Sequence, residues 1–267
     1  MVMNMFLHEL RAYRKSTIIW TCSLTTLVIL FLSMYPAIAK DAADFKKILD
    51  NYPAAVIKAL GFSLDSFFSL LGFYSATLTY VLLCGSIQAM NLGTSIISKE
   101  VRDKTADFLL TKPVSRSQIM TAKLFAVLTS LVMTNVIYII AASLMASAVQ
   151  AEPINYKLFF MLSITVFFVQ LMFMSLGIIV SVIVPKIKSV LPISMGTVFS
   201  FFIVSMLSSS IGDTTSRFIT PFKYYDLMYI IKNSAYETPY IMIELLFIVT
   251  TITLSYIIYS KKDIHAV

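Results

Sequence analysis

The chain of 267 residues is 58% hydrophobic and 13% charged, whereas ordinary soluble domains carry about 25% charged residues. A water-soluble fold could not hide this much apolar surface, so lipid must solvate much of the chain. The formal charge of +7 arises from 21 basic and 14 acidic residues scattered over short segments, which excludes a groove-lining basic patch for nucleic acid. Cys22 and Cys84 fall inside apolar runs, and His8 and His265 lie near opposite ends. Neither a disulfide framework nor a clustered metal site is expected from them.

The first stretch, "MVMNMFLHELRAYRK", sets Phe6, Leu7 and Leu10 opposite a basic side, which predicts a short interfacial helix over 1–16. The apolar run Thr17–Ala39 follows, and five more come after it: Leu70–Ile97, Leu124–Val149, Leu158–Val184, Leu191–Ile211 and Tyr240–Tyr259. Each reaches the roughly 20 residues that a helix needs to cross a hydrocarbon core of about 30 Å. Barrel strands would alternate apolar and polar residues, and these runs do not. The expected fold class is all-α, a polytopic membrane protein with six transmembrane helices forming one domain over 1–267. "MYPAIAKD" imitates a signal-peptide cleavage site, but the run before it exceeds the usual length of about 7–15 residues, so Thr17–Ala39 is read as a retained span.

Between the first two spans, Phe45, Ile48, Leu49 and Tyr52 recur at helical spacing ahead of Pro53, predicting an amphipathic helix at the interface. The segment 212–239 contains "TPFKYYDLMYIIKN", with Thr220 as N-cap, Pro221 at the first helical position and a cluster of aromatic residues. Aromatic side chains at headgroup depth account for that composition.

An even number of spans puts both termini on one side. Thirteen basic residues then fall on the side of the termini and eight on the other, so both termini are assigned to the cytoplasm. The richest cytoplasmic stretch, 98–123, lies between spans two and three and holds nine charged side chains. Val101, Thr105, Phe108 and Leu109 form an apolar-leaning stripe on a helix of about three turns. Pro113 ends that helix by disfavouring α geometry at Lys112. Ser115 with Gln118 then fits a capping box, and Val114 with Ile119 a hydrophobic staple. The pattern alone fits a helix lying on lipid, a docking element for a partner, or a site built from Glu100, Asp103 and Asp107. The last lacks the histidine, cysteine or metal partner that a carboxylate site would use.

Polar residues within spans are costly and therefore informative. Gln88, Asn91, Asn135, Gln170 and Ser208 fit either interhelical hydrogen bonds or the lining of a substrate pathway. Glu244 lies about 6 Å of helix rise inside Tyr240, within reach of interfacial water and of a basic loop residue.

The stretch "EVRDKTADFLLTKPVSRSQIMTAK" resembles the central cytoplasmic signature of ABC-2 type transporter permeases. Glu100, Thr105, Leu109, Leu110, Pro113, Val114, Ser115, Arg116, Ile119 and Lys123 match it, while Lys104 and Ala122 stand where the family carries glycine. The six-span layout and the ending "YSKKDIHAV" extend the likeness along the chain. The resemblance implies that the loop is a coupling helix docking on a separate ATP-binding subunit. Glu100, Arg102, Thr105, Phe108, Leu109, Pro113 and Arg116 would then be its docking residues, with Thr105, Phe108 and Leu109 as the packing face and Glu100 and Arg102 at the rim.

No G-x-x-x-x-G-K-[ST] motif occurs in the sequence, so ATP and magnesium are assigned to the partner and no cofactor to this chain, which is not read as an enzyme. With six spans, a second permease chain, identical or different, is expected. The family likeness further implies a bacterial plasma membrane, an aromatic outer gate over 212–239, and export of an amphipathic or hydrophobic substrate such as a peptide. A membrane scaffold and an ATP-independent channel or secondary transporter are the alternatives. The latter would be expected to show deep ionisable residues or matching halves.

Overall fold

In the computed structural model the described residues are 2–42, 47–48, 51, 53, 56, 67–102, 114–150, 153–184, 186–211 and 215–261. They form α1 (Val2–Lys40), α2 (Leu70–Arg102), α3 (Arg116–Val149), α4 (Tyr156–Ile183), α5 (Val190–Ile211), α6 (Leu227–Asn233) and α7 (Thr238–Lys261). Two short 3-10 turns, Thr215–Phe218 and Pro221–Lys223, precede α6. No strand occurs among them, and six helices are long and apolar enough to cross a membrane. Each expected apolar run falls on one of these six, with Val184 as the C-cap of α4. The chain is an all-α polytopic membrane protein.

The N-terminal segment departs from expectation. Residues expected to form a separate surface helix over 1–16 continue without a break into the first span. As one helix of 39 residues, α1 is roughly 58 Å long at about 1.5 Å per residue, nearly twice the hydrocarbon core. Its first turns therefore project beyond the core rather than lying flat on it. The basic residues Arg11, Arg14 and Lys15 carry no helix breaker between them and Thr17, so the backbone ladder has no reason to stop there.

The entry to α3 follows the sequence closely. Ser115 N donates to Gln118 Oε1 (3.0 Å) and Gln118 N donates to Ser115 Oγ (3.3 Å), the reciprocal capping box that satisfies orphan donors at a helix start. At the start of α4, Asn155 caps through Leu158 N at 3.2 Å.

Burial is uneven. Most of the apolar window is enclosed in α2 (67%) and α4 (61%), against 11% in α7, so α2 and α4 form the centre and α7 faces outward. They can approach because Gly93 and Gly177 face each other across the pair. A Cβ on Gly93 would lie 2.3 Å from Met174 O, and one on Gly177 would lie 2.6 Å from Met90 O. Between lipid-solvated helices no water is expelled, and close backbone approach at small residues supplies much of the association energy. α3 lies against α1, α5 against α2, and α7 against α4 and α3.

The helix expected from Thr220 and Pro221 begins six residues later. Thr220 Oγ1 donates to Phe201 O at 3.0 Å instead of capping, and Pro221 opens only a three-residue 3-10 turn. Asp226 is the cap that holds, accepting from Met228 N (2.9 Å) and Tyr229 N (3.1 Å). α6 then ends at Ser234 in a left-handed conformation, φ 52°. Of the amphipathic helix expected between the first two spans, Phe45, Leu49 and Tyr52 lie outside the described residues.

Candidate functional site

Three groups of polar side chains are built into the bundle. The first lies across its middle. Gln170 Nε2 donates to Gly85 O (3.2 Å) and Gln88 Oε1 (3.3 Å), while Asn135 Nδ2 donates to Gln170 Oε1. Gln88 Nε2 donates to Thr134 Oγ1 (2.9 Å), and that hydroxyl is hydrogen-bonded to Thr21 Oγ1 (2.9 Å). One network thus ties α1, α2, α3 and α4 together, and Gln88, Thr134 and Gln170 are fully buried within the chain. Of the candidate pathway residues, Gln88, Asn135 and Gln170 are brought together here. Asn91 is half-buried one turn along α2, and Ser208 is buried towards the end of α5. Thr21 and Thr134 do not stand out in the sequence, because a threonine in a span usually bonds its own helix and gives no signal of its own.

A second layer lies nearer the end of the bundle away from the termini. Tyr74 Oη is hydrogen-bonded to Tyr138 Oη and Ser163 Oγ, each at 2.7 Å, and its ring stacks on Phe159 with centroids 4.3 Å apart. These contacts join α2, α3 and α4 through groups whose polar tips are all satisfied, as buried phenols require.

The third group lies at the bundle end that carries both termini. Lys123, on α3, is 2% exposed. Its ammonium contacts Glu100 Oε1 (2.7 Å) from α2, Glu9 Oε1 (2.9 Å) from α1 and Ile96 O (2.9 Å). Three donors meet three acceptors, which is how a buried ammonium is tolerated. Lys99 stands over the Tyr13 ring at 5.5 Å from its centroid, within cation–π range. Glu100 therefore takes a different place from the rim position expected of it: its carboxylate is committed to the bundle. Arg116 also turns inward. Its Nη1 reaches the carbonyls of Tyr259 (3.4 Å) and Ser260 (3.5 Å) at the end of α7, where the helix dipole favours a cation. Thr121 Oγ1 is hydrogen-bonded to Tyr256 Oη on the same helix at 2.8 Å. Thr105, Phe108, Leu109 and Pro113 lie outside the described residues, as does the side chain of Arg102.

At the opposite end, the segment 215–237 folds back over the helices. Arg217 pairs with Glu237 and lies over the Tyr240 ring at 4.2 Å. Tyr236 Oη donates to Met161 O at 2.9 Å, and Lys223 reaches Ser209. Glu244 is 3% exposed and accepts from Tyr225 Oη. Its partner is thus a tyrosine delivered by the folded-back segment, rather than the basic loop residue suggested by its depth. Burial, reinforced by the Glu244 carboxylate, pushes the Tyr225 phenol up. Burial alone takes Tyr236 to about 12, and it draws the Lys223 ammonium down against the opposing pull of Asp226.

Among the described residues no cluster of three or more His, Cys, Asp or Glu side chains could hold a metal ion. The polar groups described above join helices to one another. A family model described as an ABC-2 family transporter protein matches residues 3–264. The chain belongs to the ABC-2 family of transporter proteins. No curated protein matches the sequence. Membership accounts for a multi-pass chain of six apolar helices: ABC-2 proteins are membrane components of transporters, generally not themselves catalytic, and they typically work with an ATP-binding subunit.

Proposed function

We propose that the chain is the permease subunit of an ATP-driven exporter, coupled to a separate ATP-binding subunit through the coupling loop 98–123. The observation that carries this reading is where the loop is rooted. Its entry is fastened by Glu100 to Lys123, and its exit by Arg116 to the end of α7. A loop rooted in this way passes a push to the spans instead of absorbing it. The packing face is Thr105, Phe108 and Leu109, with Arg102 and Pro113 beside it, and this end of the bundle is placed in the cytoplasm by the excess of basic residues. Two permease chains form the translocation unit in a bacterial plasma membrane, and the cargo is amphipathic or hydrophobic, such as a peptide. ATP and magnesium belong to the partner.

Sidedness has a direct test. A cysteine at Gln118 in a cysteine-free background, exposed at the loop end, is expected to react with a membrane-impermeant maleimide only after cells are opened. Labelling of intact cells would reverse the orientation. For transport, the permease is purified from its native membrane with whatever accompanies it and placed in vesicles. ATP-dependent flux of a hydrophobic peptide library, lost when the ATP-binding subunit is omitted, is the expected result. Partner binding without flux of any cargo would assign the chain to a scaffold.

The buried network of Gln88, Asn135 and Gln170 is read as the frame of the bundle, with cargo passing along surfaces between two chains. Gln170→Leu removes one hydrogen-bond partner each from Asn135, Gln88 and Gly85 O and is expected to cost about 1–3 kcal/mol of stability, with flux per folded molecule retained. Lost flux at unchanged thermal stability would instead place Gln170 on the route.

A further inference from the structure

The first turns of α1 raise a question that transport alone does not answer: what holds them. Between Met3 and Ala12 the helix side chains are exposed or half-buried, with Met3 66% and Leu7 40% exposed; among the described side chains of α1, Tyr13 is the first that is buried. Met5 packs against the core, and polar contacts also join this projecting piece to the rest of the chain. Glu9 meets Lys123 at 2.9 Å, and one turn on Lys99 covers Tyr13. The same ammonium holds Glu100, at the start of the coupling loop, at 2.7 Å.

We propose that Lys123 is a positioning residue that locks the projecting start of α1 to Glu100 at the start of the coupling loop, making α1 a second lever that moves when the loop is pushed. Its three acceptors come from two helices: Glu9 on α1, and Glu100 and Ile96 O on α2. With every donor taken, the ammonium cannot swing to follow one partner while releasing another. Displacement of Glu100 by the loop is handed to Glu9 through a single charged atom, and α1 continues as one helix from there, meeting its internal proline, Pro36, only in its last turns. A stiff helix carries that displacement to the far end, whereas a hinged surface helix would dissipate it. This inference rests on the proposed ATP-driven role, but the lock itself does not need ATP.

The test is hydrogen–deuterium exchange of the complex in lipid nanodiscs. Lys123→Met alone would leave two carboxylates facing each other without a cation, a change that could prevent folding. The informative variant is Glu9→Ala, which keeps Lys123 paired with Glu100 and places a strong helix former on α1. Without nucleotide, exchange over residues 3–12 is expected to rise about tenfold in the variant, with α3 unchanged; equal exchange in both proteins overturns the lock. With ATP and vanadate, the wild type should change exchange both in the loop and over 3–12, and the variant in the loop alone. A variant that still responds over 3–12 overturns the lever. Should the wild type respond nowhere to nucleotide, the ATP-driven reading fails, and the comparison without nucleotide still decides the lock.

Discussion

Gly177→Val should prevent the helix bundle from forming, seen as loss of folded protein in detergent extracts and of any cooperative melting transition. The reason lies in what a side chain would strike. A Cβ at position 177 would sit 2.6 Å from Met90 O and 2.8 Å from Thr94 N, both backbone atoms of α2 that cannot rotate away. Alanine adds only that carbon and should cost the upper end of about 1–3 kcal/mol. Valine adds two more carbons in the same crevice and forces α2 and α4 apart. The separation would also pull Gln170 away from Gly85 O and Gln88, so packing and hydrogen bonds are lost together. Gly196 provides the contrast. A Cβ there meets nothing within 4 Å, and Gly196→Ala is expected to leave melting unchanged or to stabilise by up to about 1 kcal/mol through helix propensity. If Gly177→Val melted like the wild type, the close crossing would not exist.

Phe108→Asp should leave insertion and melting of the protein intact while abolishing co-purification with the proposed ATP-binding subunit. The spacing of Phe108 with Thr105 and Leu109 in the sequence predicts that they share one face of a helix. An aromatic anchor at the centre of an interface commonly contributes about 2 kcal/mol or more, and its loss weakens binding roughly thirtyfold. Aspartate removes that anchor and adds a carboxylate that binding would have to desolvate. Ser117→Ala, at an exposed position beyond the packing face, is the matched control and should bind normally. Unchanged recovery of the complex with Phe108→Asp would move the docking surface elsewhere.

The two experiments probe features that differ in how far sequence reveals them. Continuous apolar runs identify spans because a backbone in lipid has to satisfy its own hydrogen bonds, and a helix does so within one segment. For the same local reason the Ser115–Gln118 cap was legible: both partners lie within four residues. The order of residues from Glu100 to Lys123 was enough to suggest the family. The polar residues Gln88, Asn135 and Gln170 could be flagged as costly in lipid, yet nothing local tells whether such a group faces a neighbour or a pathway.

Sequence alone therefore determined the all-helical class, the six spans, the cap of α3 and the likeness to ABC-2 permeases, since each depends on composition or on contacts a few residues apart. Tertiary structure decided the rest: that Gly93 meets Gly177, that Gln170 bridges Gln88 and Asn135, that Glu100 turns inward to Lys123, and that Tyr225 rather than a basic residue serves Glu244. It also decided what holds the start of α1: no helix breaker separates that stretch from the span, and standing upright it needs a partner on another helix. Here Lys123, far along the chain on α3, offers Glu9 one.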